Sequence, residues 1–149
     1  MNKLAILVSI LLLSSSMLIS CTSKPKLTAT NWYLKSEFTW WEARPEYMLR
    51  LNEEAGLLEV QFTLRPDGQA YHLKLADKSW SVGKNCGSPQ NNTSAIEIDT
   101  WYPVYCDPQS DPITPLNGSY RFHPKDNAMY KLKVRFYKGL PSEMLVSKQ

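Results

Sequence analysis

The chain has 149 residues, of which 21% are charged, and a formal net charge of +3. Once an apolar leader is set aside, that is one domain's worth of sequence, enough for a single core. Losing Lys3 with the leader takes the charge from +3 to +2, too little to grip nucleic acid electrostatically.

Met1-Asn2-Lys3 is a short positive segment, and Leu4 to Leu13 is almost unbroken apolar sequence. That run is shorter than the ~20 residues a bilayer span needs, and Ser14-Ser15-Ser16 ends it, so residues 1–20 read as an export signal. Leu18-Ile19-Ser20-Cys21 resembles the bacterial lipobox, in which an apolar residue, a spacer and a small residue precede the cysteine that is acylated. The resemblance implies lipidation of Cys21; the alternatives are a plain secretory signal with an incidental cysteine and an uncleaved N-terminal membrane helix, which the short, serine-broken run disfavours. Each buried CH₂ of an acyl chain contributes about 0.8 kcal/mol, so two or three chains hold a protein on a bilayer without a transmembrane helix. Thr22, where an aspartate would resemble an inner-membrane retention signal, favours the outer membrane, on either its periplasmic or its surface face. Residues 21–30 then form the lipidated cysteine and a polar tether, and residues 31–149 the folded domain.

Short alternating runs follow. Asn31 to Phe38 predicts a strand, with Trp32, Leu34 and Ser36 on one face; Tyr47 to Leu51 predicts another. In Leu57 to Leu64, Leu58, Val60, Phe62 and Leu64 share a face. Arg65-Pro66-Asp67-Gly68 reads as a hairpin turn returning through Ala70, Tyr71, Leu73 and Leu75. Further strands are predicted over Ala95–Trp101, Ser119–His123, Met129–Tyr137 and Glu143–Val146, and no segment keeps a helical period. The fold class is all-β, an antiparallel sandwich of six to eight short strands.

Cys86 and Cys106 remain in the exported chain. In an oxidising compartment two thiols usually pair, and the bridge closes about 20 residues, worth roughly 3 kcal/mol in the chain-entropy model. A metal site would need further ligands, and His72 and His123 stand alone. No P-loop, nucleophile elbow or His-Glu-x-x-His occurs, no two carboxylates are paired by spacing, and no cofactor is implied. The sequons at Asn91 and Asn117 read as chance. The expectation is a non-catalytic domain.

The unusual content is aromatic and sits between strands: Trp40-Trp41, Trp80, and Trp101, Tyr102 and Tyr105 in the disulfide loop. Such rings serve sugar binding, where flat C–H faces stack on the ring and nearby polar groups fix the hydroxyls. They serve equally as core side chains or, for Trp101, as a cap on one end of the sandwich. If Trp40 and Trp41 lie on a strand, they point to opposite faces, one inward and one outward.

Tyr33-Leu34-Lys35-Ser36-Glu37-Phe38-Thr39-Trp40-Trp41 resembles the opening motif, YLRGxFNxW, of the early-set, immunoglobulin-like carbohydrate-binding modules attached to pullulanases and glycogen-branching enzymes. The likeness continues in order through Leu57–Leu64, Gly68–Asp77, Lys78–Gly87, Asn117–Pro124 with Tyr130–Val134 as the family's last hairpin, and Leu140–Val146. It implies an immunoglobulin-like sandwich and an α-glucan stacked on two tryptophans, with a lysine and an asparagine bonding its hydroxyls. Matched by position, these are Trp41, Trp80, Lys74 and Asn85. The chain departs from the pattern at Ser36, Thr39 and Trp40, and in the segment around the disulfide, Ser88 to Asp111. Two functions are therefore expected: a lipid-anchored domain binding an α-glucan or other glycan, or an envelope lipoprotein using the same sandwich to hold a protein partner, with Trp101, Tyr102 and Tyr105 as its contact surface.

Overall fold

The computed structural model describes residues 31–89, 94–108 and 116–149. Residues 1–30, which include the expected export signal, Cys21 and the expected tether, lie outside the described residues, as does Asn91. Among those described, no helix is long and apolar enough to cross a membrane.

Two sheets face each other. One contains β1 (Tyr33–Lys35), β4 (Tyr71–Ala76), β5 (Asn85–Gly87), β6 (Ser94–Ile96), β8 (Tyr105–Cys106) and β9 (Tyr120–Phe122), ordered β6-β9-β4-β5-β8 with β1 also paired to β4. The other contains β2 (Arg50–Asn52), β3 (Leu57–Leu64), β7 (Tyr102–Pro103), β10 (Ala128–Tyr137) and β11 (Leu140–Lys148), ordered β2-β3-β10-β11-β7. The fold is the all-β sandwich that the alternating runs predict. Its strands pair antiparallel apart from β6 with β9, which are parallel.

The period-2 pattern explains the centre of the second sheet. Tyr130, Leu132 and Val134 of β10 are buried while Arg135 faces out, and Leu132 lies between Val60 of β3 and Val146 of β11. Leu58, Val60, Phe62 and Leu64 reach across to Leu73, Leu75 and Phe122 of the first sheet, forming one core. Each such buried side chain contributes about 1.5–3 kcal/mol. Phe38 stacks on Phe62 at 5.6 Å and closes one end of the core. The Cys86–Cys106 disulfide joins residues that are register partners on β5 and β8, so it fastens a two-residue edge strand to the sheet.

Several local expectations are corrected. Among the described residues eleven segments build the sheets, more than the six to eight expected, because seven of them are three residues or shorter. The strand expected over Asn31–Phe38 ends at Lys35, where Ser36 starts a tight turn and Glu37–Thr39 forms a 3₁₀ turn. Tyr47–Leu51 gives way to a 3₁₀ turn at Pro45–Tyr47 followed by β2. Only Ser94–Ile96 pairs at the start of the Ala95–Trp101 run. Arg65–Gly68 is not a hairpin turn: β3 and β4 belong to different sheets. There the Asp67 carboxylate accepts from Gln69 N at 3.0 Å and Tyr71 Oη at 2.9 Å, and Gly68 adopts φ +80°. This turn lifts the chain from one layer to the other, so the two apolar rows face each other. Asn117–Pro124 and Tyr130–Val134 likewise do not form a hairpin, since β9 pairs with β4 and β6, and β10 with β3 and β11.

Candidate functional site

Strand alternation puts Leu34, Leu73, Leu75 and Cys86 into the core, leaving Tyr33, Lys35, Lys74, Ala76, Asn85 and Gly87 on the outer face of the first sheet. Register makes Lys35 the cross-strand partner of Lys74, and Asn85 that of Ala76. An outer face carrying two lysines and an asparagine is ordinarily solvated. Here it is covered: Lys35 is 1% exposed, Lys74 5% and Asn85 6%. Two turns that each carry a tryptophan lie over the lysines, and the Asn117–Gly118 segment lies against Lys74 and Gly87 of the same face.

The first turn leaves β1 at Ser36. The Ser36 carbonyl accepts from Thr39 N at 3.1 Å, Thr39 Oγ1 at 2.9 Å and Trp41 N at 2.9 Å. Trp40 N donates to the Glu37 carbonyl at 2.9 Å. Winding the chain this tightly places Trp40 at φ 56° and Trp41 at φ 58°, both left-handed, at a cost of about 1–2 kcal/mol per residue. The second turn follows β4. One oxygen of Asp77 accepts from Ser79 N at 3.1 Å and Ser81 N at 2.9 Å, and Trp80 between them is left-handed at φ 56°. Burial pushes the Asp77 carboxyl up, but hydrogen bonds from Ser81 and Ser79 and the nearby Lys84 outweigh it and hold the group below its usual range.

These turns bring Trp41 and Trp80 together, with ring centroids 6.4 Å apart and planes tilted by 42°. Both are half-buried, whereas Trp40 projects at 74% exposure. Neither Trp40 nor Trp41 enters the core, because the pair lies in a turn and the alternation expected of a strand does not apply. Beneath Trp80 lie both lysines, with Lys35 Nζ 4.9 Å and Lys74 Nζ 5.9 Å from the ring centroid. Lys35 Nζ also donates to the Trp41 carbonyl at 3.3 Å, and Lys74 Nζ to the Asn117 carbonyl at 2.7 Å. Burial pushes the Lys74 amine down to about 8, with Asp107 opposing the fall. It lowers Lys35 too, against Asp77 and Glu42. Asn85 shares this face, and its Oδ1 has no hydrogen-bond partner among the described residues.

Of the four residues matched by resemblance, then, Trp41, Trp80 and Lys74 form one cluster, and Asn85 lies on the same sheet face. Sequence reasoning missed Lys35, whose place opposite Lys74 follows only from the β1–β4 register. It also missed the left-handed turns, because tryptophan carries no preference for that conformation.

Elsewhere, Trp101 is half-buried under the Arg135 guanidinium, 3.9 Å from its ring centroid, and Arg135 pairs with Glu143 at 2.8 Å. Tyr102 packs on Tyr120 at 5.8 Å, and Tyr105 is 48% exposed. His72 is not isolated: its Nδ1 lies 2.5 Å from Glu37 Oε1, and its backbone N donates to Glu37 Oε2 at 2.9 Å. Among the described residues no cluster of three His, Cys, Asp or Glu side chains could hold a metal ion. No family model, no curated protein and no solved structure matches this chain.

Proposed function

We propose that this chain is a non-catalytic glycan-binding domain, tethered to a membrane through acylated Cys21, and that an α-glucan stacks on Trp41 and Trp80. The observation that supports this reading is the paired geometry of those rings, 6.4 Å apart and inclined at 42°. Coplanar rings suit a flat, ribbon-like glycan. Inclined rings suit a chain that turns between successive sugars, as an α-linked glucan does. Partly exposed indoles offer large apolar faces for sugar C–H groups at little conformational cost. Holding three tryptophans in left-handed backbone is unfavourable for folding alone, and strain of that kind gathers where geometry serves a ligand.

The test is tryptophan fluorescence of the full-length chain in detergent, titrated with maltoheptaose and with a cello-oligosaccharide of equal length. The expected result is a saturable change with maltoheptaose, weaker with the flat β-linked chain and lost in folded Trp41→Ala and Trp80→Ala variants. No response to either sugar overturns the glycan reading and turns attention to protein partners. For the anchor, Cys21→Ser is expected to move the protein from the membrane to the soluble fraction and to abolish incorporation of labelled palmitate.

A further inference from the structure

Lys35 is a costly residue where it stands. Its side chain is 1% exposed, and an ammonium withdrawn from water loses solvation worth several kcal/mol, recovered only through good partners. Its register partner is a second lysine, Lys74, and like charges directly opposite on neighbouring strands repel. A methionine or leucine would fill the same space without either cost. Yet the Lys35 ammonium reaches both members of the aromatic pair. It donates to the Trp41 carbonyl at 3.3 Å and sits 4.9 Å from the centre of the Trp80 ring. Desolvated contacts of an ammonium with an indole are the strong ones of their kind. An apolar side chain makes neither the hydrogen bond nor the charge–ring contact.

We infer that Lys35 is a positioning residue for the Trp41–Trp80 surface: one buried ammonium ties the backbone of the first tryptophan to the ring of the second and sets their separation and tilt. The inference rests on the reading of that pair as a binding surface. Lys35 itself touches no ligand. It lies beneath Trp80 and acts through the two indoles. Lys74 braces the same ring from 5.9 Å but donates to Asn117, so it holds Trp80 without reaching Trp41.

The experiment compares the full-length chain with Lys35→Met, which keeps the stem and removes the charge and the donor. Two coupled indoles at fixed distance and angle give an exciton couplet in the circular dichroism spectrum, and loss of stability alone does not remove it from a folded protein. Lys35→Met is expected to melt cooperatively, lose most of that couplet, and bind maltoheptaose about tenfold more weakly. An unchanged couplet in the folded variant overturns the inference. If the parent chain shows the couplet but binds no glucan, its loss in Lys35→Met still supports the positioning role while the glycan reading fails. A second measurement needs no Lys35 variant. In the parent chain, the ε-methylene proton resonances of Lys35 are expected upfield, shifted by the Trp80 ring current, and to return to ordinary positions in Trp80→Ala. Ordinary positions in the parent chain overturn the inference.

Discussion

The ammonium groups of Lys35 and Lys74, cross-strand partners on β1 and β4, lie beneath the same indole ring. This arrangement makes stability depend on pH in a defined direction. The Lys74 amine titrates at about 8 when folded, because burial disfavours its charged form, against 10.5 when unfolded. Between those values the unfolded chain binds more protons, so stability rises with pH. Below about 8 both states hold the proton and the penalty is constant, at most about 3 kcal/mol. Lys35, lowered for the same reason, adds in the same direction. Tyr120 acts oppositely: burial, then Tyr102, raises it to about 12 from 10.0, so above 10.0 the unfolded chain ionises first and stability is lost. Melting temperature is therefore expected to climb from about pH 8 to about pH 10 and then to level or fall. Lys74→Met should flatten much of the climb. A parent profile that declines steadily over that window contradicts the assignment.

Gly87 is fixed by the neighbour that approaches it. A Cβ at this position would overlap the Gly118 carbonyl oxygen, a backbone atom with no freedom to move away. The same oxygen accepts from Ser88 N at 2.6 Å, and the adjoining Asn117 carbonyl receives Lys74 Nζ at 2.7 Å. Opening this seam to admit a methyl group would disturb both bonds. Gly87→Ala is expected to destabilise the domain by about 2–4 kcal/mol in denaturant unfolding, at the upper end of overpacking effects. A change under about 0.5 kcal/mol, typical of ordinary surface sites, would show that the strand and loop separate easily.

Trp40 carries the backbone strain of its turn without the packing that offsets it. Its φ is 56°, its side chain is 74% exposed, and its cost of about 1–2 kcal/mol disappears with glycine. The greater freedom of glycine in the unfolded chain cancels part of that gain. Trp40→Gly is expected to leave the melting temperature unchanged or to raise it by a few degrees. Trp41→Gly and Trp80→Gly are expected to lower it, since each abolishes the contact between the two rings. A larger loss in Trp40→Gly than in Trp41→Gly would mean that the exposed indole holds the turn together.

The long alternating runs disclosed the sandwich because period 2 over eight or more residues has few other solutions. β3 was legible residue for residue, and β10 to within one. Partner choice was not legible. Leu64 and Leu73 face one core whether the chain between them forms a hairpin or crosses from sheet to sheet, so the same apolar pattern served both topologies. Of the two- and three-residue strands, β9 lies inside the predicted Ser119–His123 run and β1 inside Asn31–Phe38, whereas β5, β7 and β8 are too short to leave a periodic trace. At the site, Trp41, Trp80 and Lys74 emerged through resemblance, but the burial of Lys74 and Asn85 did not, because polar residues on an outer face read as solvated until something is known to cover them. Lys35 stayed hidden for the same reason.

The disulfide gives a final prediction. Cys86 lies in a three-residue strand and Cys106 in a two-residue edge strand, and too few hydrogen bonds join them to hold the edge unaided. The crosslink closes a loop 20 residues apart in sequence. Removing it should cost about 3 kcal/mol in the chain-entropy model. The consequence is expected first at the edge: β8 releases, and Asp107 N loses its 3.0 Å bond to the Asn85 carbonyl. Asp107 is also the carboxylate that opposes the fall of the Lys74 amine, so its departure should lower that amine further. The double variant Cys86→Ala/Cys106→Ala is therefore expected to unfold at lower denaturant concentration and to begin its pH-dependent rise in stability at lower pH than the parent. A variant with reduced stability but an unshifted rise would show that Asp107 keeps its place without the crosslink.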